Sequence, residues 1–361
     1  MRADHVSGAR ALAGRAVGLF ADVVAALDAA PPDCWWRAVR LGAWHLWKNG
    51  REAMGASVLA ALSSCLDLVE ARLPTGPNLP AGFVDDVVAG LRDLGRRRHD
   101  EQAASSGIRD AFSAFVQRRH ASLLTSSASP APDPAPASRG GDEAGGSRGG
   151  GDDTRRRPLR ILTLSSSSTI ASSLSHALAQ AQLPPLDTRV LESRPLCEGA
   201  SMARVIAAAA APPSSVSVYT DAAAALAARG ADLVLLGADL IDRHGNVSNK
   251  MGSLPAVLAA RHVAPAAKVV VLADRDKILP LDPPARDEDN DPAQVSRVWP
   301  AADDGRAASA APLHVSNVYF EWVPAGLVDH YITEDGMTTT EGIAACARDA
   351  RRRADHFFSD L

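Results

Sequence analysis

Apolar residues follow two different rhythms along this chain. Between residues 9 and 124, Ala, Leu and Val recur with a helical period over 9–27, 35–48, 51–73 and 82–124, broken by Pro31-Pro32 and by the segment from Pro74 to Pro80. This predicts an α-helical domain over 1–124. From residue 158 the rhythm changes: short Val/Leu/Ile runs at 159–164, 188–192, 216–220, 232–236 and 268–272 alternate with Ala-rich segments of helical composition. Such alternation predicts a parallel, doubly wound sheet. The fold expected is therefore α/β, an N-terminal helical domain followed by a Rossmann-like domain over 158–361. Between the two regimes, residues 125–157 read TSSASPAPDPAPASRGGDEAGGSRGGGDDTRRR. A segment without large apolar residues cannot offset its ordering entropy by burial, so a disordered linker is expected there. A second polar stretch, 283–311, contains ARDEDNDPAQ and is expected to leave the surface of the second domain as a loop.

Composition narrows the function classes. The chain has 361 residues, 46% of them hydrophobic, and a formal net charge of −4, so it can bury large cores but offers no electrostatic case for nucleic-acid binding. Arg155, Arg156 and Arg157 adjoin Asp152 and Asp153 and read as a solvated linker end. Cys34, Cys65, Cys197 and Cys346 lack metal-ligand spacing, and no histidine pair has it either, so no metal and no cofactor are expected. Scattered thiols fit a reducing compartment. With no signal-like start and no apolar run read as a membrane span, a cytoplasmic protein without membrane contact is expected. Trp36, Trp44 and Trp47 fall on one predicted helical face and are expected to pack in a core or an interface.

The densest chemistry lies between Ala231 and Asp274. The strand at 232–236 ends in Gly237-Ala238-Asp239, which sets a carboxylate at the C-terminal edge of the sheet, where open α/β folds place ligands. Asn249-Lys250-Met251-Gly252-Ser253 is predicted to open the next helix and to form an anion cradle with its backbone N–H groups. After the first strand, Ser165 and Ser166 lie in a hydroxyl-rich run, Thr163 to Ser168, suited to holding phosphate; after the second, Arg194 offers a bidentate fork.

At this point the chain resembles a known family. GADLIDRHGNVSNKMGS (237–253) resembles the signature of the translation initiation factor 2B alpha/beta/delta family, whose metabolic relatives are methylthioribose-1-phosphate isomerase and ribose-1,5-bisphosphate isomerase. Residues 192–199, ESRPLCEG, are similar to the family's E-(T/S)-R-P-x-x-Q-G element, 317–324, NVYFEWVP, to its N-P-x-F-D-x-(T/V)-P element, and 331–336, YITEDG, to its closing I-T-E-x-G. Four motifs in the family's order cover about 158 to 345. Ser7-Gly8-Ala9 and Asn49 to Met54 match only loosely the R-G-A and R-P-T-A elements, the latter putting Arg51 forward as a ligand contact.

The resemblance implies acid/base chemistry shared between Asp239 and a Cys after the first strand, but Ser165 stands at the Cys position. An alcohol is far less acidic than a thiol and exchanges protons poorly without an activating base. Cys197 is a candidate replacement thiol. Glu198 stands where the isomerases carry Gln and brings an extra negative charge, while Glu321 matches the Asp of the third element and can orient a substrate hydroxyl or hold the C-terminal segment to the sheet. Two functions stay open. One is a non-enzymatic initiation factor 2B-like protein that binds a phosphorylated sugar or nucleotide and acts through association, as a homodimer or a heteromer with related subunits. The other is an aldose–ketose isomerase of a sugar 1-phosphate, supported by Arg194, Asp239, Asn249 and Lys250. The sequence alone leans to the first. Tyr319, Phe320 and Trp322 are expected as interface anchors.

Overall fold

The computed structural model describes residues 8–28, 31–100, 102–127, 157–283, 290–300 and 313–361. Ser7 and nearly all of the linker expected at 125–157 lie outside the described residues, as do 284–289 and 301–311 of the second polar stretch. The N-terminal region is helical: α1 (Ala9–Ala25), α2 (Pro32–Lys48), α3 (Gly55–Glu70), α4 (Phe83–Asp100) and α5 (Gln102–Ser127). The stretch predicted as one helix over 82–124 is thus two helices, and α3 is preceded by a short 3-10 turn, Glu52–Met54. The segment Glu52–Glu70 is long and apolar enough to cross a membrane, contrary to the reading of the sequence, but 72% of it is buried against other helices. It is the core helix of the bundle, with Val58, Leu62, Cys65 and Leu66 packed against Val17, Phe20, Val39 and Leu91. On α2 the fully buried tryptophan is Trp35, edge-on to Phe83 at 5.5 Å, while Trp36 and Trp47 meet Phe357 and Phe358 of the C-terminal helix.

The second region forms a seven-stranded sheet from β1 (Leu159–Leu164), β2 (Leu186–Leu191), β3 (Ser215–Tyr219), β4 (Leu233–Leu236), β7 (Lys268–Leu272), β9 (His330–Thr333) and β10 (Gly336–Thr338). Its order is β10-β9-β7-β4-β1-β2-β3, parallel except for β10. Five strands lie within two residues of their predicted positions. The β1–β4 neighbourhood is the switch point from which the strand order runs outward in both directions. Alternate residues of the central strands face two separate cores. Leu162, Val234, Leu236, Val269 and Val271 pack on α8 (Ala224–Ala228), α9 (Ser253–Val263) and α11 (Thr340–Phe358). Ile161, Leu233, Leu235, Val270 and Leu272 pack on α5, α6 (Ser168–Leu178) and α7 (Glu198–Ala209). The two regions exchange helices: Ile108, Phe112 and Val116 of α5 cover the sheet, and Phe357 of α11 enters the N-terminal bundle.

A small antiparallel sheet joins the two regions. It consists of β5 (Leu240–Ile241), β6 (Val247–Lys250) and β8 (Phe320–Val323) in that order. Asn249 and Lys250 therefore end a strand, where a helix start was predicted, and α9 begins at Ser253 after Gly252 takes a φ of +104°. Trp322 packs with Ala56, Leu240 and Leu279, and Phe320 with Leu12 and Met54, so the aromatics expected at an oligomer interface instead pin the helical bundle to the site side of the sheet.

Candidate functional site

The loops after β1, β2, β3, β4 and β7 meet at the C-terminal edge of the parallel strands, beside the switch point. The loops after β1 and β2 carry strain. Ser165, Ser193 and Cys197 all adopt left-handed backbone, with φ of 62°, 63° and 55°. Non-glycine residues persist in that region only where surrounding contacts impose it, and such positions cluster at functional sites. Here the contacts are visible. The Asp221 carboxylate after β3 accepts the Ser193 N–H at 2.9 Å and the Arg194 N–H at 2.7 Å, and the Ser193 Oγ accepts the Ser165 N–H at 2.7 Å. Gly199 is obligatory: a Cβ there would stand 2.0 Å from the Leu191 carbonyl oxygen.

Asp239 follows β4, its N–H donating to the Ser248 carbonyl of the neighbouring hairpin at 2.8 Å. Burial raises its pKa above the ordinary aspartate value, against the attraction of Lys277, Lys250 and Arg51, while the charge of Glu198 adds to the rise. Arg51 comes from the α2–α3 connection, is buried, and lies over the Phe320 ring at 5.4 Å. Lys250 lies over Tyr319 and Phe320, and its ammonium donates to one oxygen of Glu198 at 3.3 Å and lies 3.0 Å from the other as an ion pair. The Ser165 hydroxyl reaches the same carboxylate at 3.5 Å. Asn249 is buried and donates to the Ser253 hydroxyl at 3.0 Å, which closes the turn into α9.

Five sequence-predicted residues, Arg51, Ser165, Glu198, Asp239 and Lys250, thus come together. Others do not serve as expected. Ser166 is exposed, and the hydroxyl run serves partly as a helix cap, Ser167 Oγ accepting the Ile170 N–H. The Arg194 guanidinium donates to the Val295 carbonyl at 3.3 Å and so is engaged by the returning polar insertion. The Cys197 thiol faces its own loop, 3.9 Å from the Pro195 carbonyl oxygen, which leaves it poorly placed to stand in for the absent family thiol. Glu321 accepts the Gly252 and Leu254 N–H groups at 2.5 and 3.2 Å: it caps α9, and no substrate hydroxyl is needed to account for it.

Three features were missed. Lys277 donates to the Ala238 carbonyl at 2.5 Å after β7, and Asp221 props the β2 loop; both follow a parallel strand, and that position was the signal available. The third is the returning part of the polar insertion. Residues 290–300 run along the site with a short helix, α10 (Ala293–Ser296), where a loop leaving the surface was expected. Gln294 accepts hydrogen bonds from Asn317 and Tyr319, and Arg297 donates to the Pro195 carbonyl.

Comparisons with known proteins give the fold and the family. A Nocardia farcinica protein, whose name pairs methylthioribose-1-phosphate isomerase with methylthioribulose-1-phosphate dehydratase, is 32% identical over 191 residues, 50% of this chain and 33% of its own length. Methylthioribose-1-phosphate isomerase of Klebsiella pneumoniae is 31% identical over 174 residues, 47% of this chain and 50% of the relative. The chain therefore spans between a third and a half of the length of these curated relatives. Two solved structures share the fold: the tetrameric eIF2B-beta2-delta2 complex from C. thermophilum, with a TM-score of 0.59 and 16% identity over 96% of this chain and 90% of that one, and 5-methylthioribose 1-phosphate isomerase from Pyrococcus horikoshii OT3, with a TM-score of 0.58 and 16% identity over 100% and 86%. Residues 156–340, half of the chain, match the family described as the Initiation factor 2 subunit family, and the chain belongs to that family.

Proposed function

We propose that the crevice binds a sugar 1-phosphate and interconverts its aldose and ketose forms. The observation that carries this reading is the retention of Asp239 among Lys277, Lys250 and Arg51, with burial raising its pKa above the ordinary aspartate value, the direction that favours a proton donor. Opening a furanose ring whose anomeric oxygen carries phosphate needs a proton donor at the ring oxygen and an acceptor on the other side of the reacting carbons. Asp239 supplies the donor, and the cations beside it hold the phosphate. The names of the matched relatives support the same reaction class, which moves the preference from association to isomerisation. A second reading, a binding subunit that associates with itself or with related chains, is favoured by one observation: Ser165 stands where the isomerases carry their thiol.

Methylthioribose 1-phosphate turnover separates the two. Expected are slow conversion by the parent protein, a gain of about 10²-fold or more in Ser165→Cys, the scale of a positioned acid/base, and loss of both activities when Asp239→Asn is added. Absence of product with the parent and with Ser165→Cys, while both still bind the sugar phosphate, would leave the association reading standing.

A further inference from the structure

Glu198, like Ser165, departs from the family pattern in the crevice, and its placement has consequences for the ligand. Its carboxylate bridges two site groups, the Lys250 ammonium at 3.0 and 3.3 Å and the Ser165 hydroxyl at 3.5 Å. Lys250 is largely buried, its side chain 12% exposed, whereas the Glu198 side chain stays 31% exposed. Lys250 cannot turn wholly to an incoming phosphate without leaving a half-buried carboxylate uncompensated, and breaking such a pair is costly. Part of the positive charge that would grip an anion is therefore already spoken for.

That pairing points to the ligand class. A second phosphate entering the crevice meets the repulsion of the Glu198 carboxylate, whose nearest cation, Lys250, is already engaged by it. A carboxylate is also an acceptor only, so it favours ligand groups that donate, such as sugar hydroxyls.

Resting on the sugar-phosphate reading above, we propose that Glu198 is the specificity-determining residue of this crevice, which takes a singly phosphorylated sugar whose hydroxyls bond the carboxylate and rejects a sugar bisphosphate. Glu198 also opens α7, where an acid is favourable at a helix N-terminus. That role accounts for an acidic residue in the first turn but not for the two-oxygen grip on Lys250.

The test is calorimetric titration of the full chain with ribose 1-phosphate and with ribose 1,5-bisphosphate. The parent is expected to bind the monophosphate more tightly. Glu198→Gln, the residue type of the isomerases, is expected to tighten bisphosphate binding by about tenfold, the scale of one relieved charge contact, and to change monophosphate binding much less. Glu198→Asp keeps the charge and is expected to keep the parent's preference. A parent that binds the bisphosphate more tightly overturns the inference even if Glu198→Gln does not fold, and so does a folded Glu198→Gln with unchanged bisphosphate affinity. If Lys250→Ala still abolishes monophosphate binding in either case, the sugar-phosphate reading survives and only the role of Glu198 falls. If neither the parent nor Glu198→Gln binds either sugar, both fall together.

Discussion

The carboxyl of Asp239 ionises at its ordinary value of 3.8 in an unfolded chain, whereas burial in the folded protein raises that value despite Lys277, Lys250 and Arg51 nearby. Between the two values the folded state binds more protons than the unfolded state, so the contribution of Asp239 to stability falls as pH rises through that window. At neutral pH its ionisation works against folding. Asp239→Asn should therefore keep or raise the melting temperature at pH 7, with the difference from the parent closing as pH falls toward 4, even as it removes turnover; a drop of several degrees at pH 7 would show that the carboxylate is held by attractions stronger than burial. The residue types at this site were legible in the sequence: Asp239, Lys250, Arg51 and Glu198 all follow from motif and strand-end position. Their directions were not. Arg194 bonds Val295 because residues 290–300 return to it, and Glu321 caps α9 because β8 pairs with β6, Asn249 opposite Glu321. Both depend on contacts between segments far apart in the chain, which no local pattern encodes.

Elements legible from periodicity are those whose burial is one-sided or complete along their whole length. The strands β4 and β7, the latter after Lys268, read as unbroken apolar runs because both faces are covered, while β1 sets Arg160 and Thr163 among Leu and Ile. The strands β5, β6 and β8 were not legible: Val247-Ser248-Asn249-Lys250 has no alternation that marks a strand, and it becomes one by pairing with Phe320–Val323. The same distant contacts can reverse an ordinary propensity rule. Gly107 lies within α5, where Ala is normally the better helix former by about 1 kcal/mol. A Cβ at this position would stand 2.4 Å from the Glu334 carbonyl oxygen at the β9–β10 turn, a backbone atom that cannot swing aside. Gly107→Ala is accordingly expected to destabilise the protein by about 1–3 kcal/mol, the cost of overpacking, read as a lower denaturant midpoint at constant slope. A higher midpoint would mean that α5 stands farther from the sheet than the contacts of Ile108 and Phe112 with Ile332 imply.

At the scale of the whole molecule, the aromatic residues first expected to hold two copies together are engaged within one chain, Tyr319 with Gln294, Phe320 with Met54 and Trp322 with Leu240. The apolar surface still open lies elsewhere. Leu226 on α8 and Leu258 on α9 are 52% and 51% exposed on helices that pack side by side, and Val218 is half exposed on β3, the outer strand of the seven-stranded sheet. An apolar helix face beside an open sheet edge is a surface that a partner can cover with little rearrangement. Closed symmetric pairing is the commonest way for a chain to cover such a face with its own copy. The protein is therefore expected to be a homodimer at micromolar concentration, with a light-scattering mass twice that of the chain. The paired change Leu226→Glu with Leu258→Glu is expected to return it to a folded monomer with unchanged helical content, since each side chain is half exposed, and with a lower melting temperature as the stabilisation from association is lost. A dimer that survives the paired change would place the interface on another surface. A parent protein that is monomeric across that concentration range would reject self-association and direct the search to a related subunit as the partner of this face.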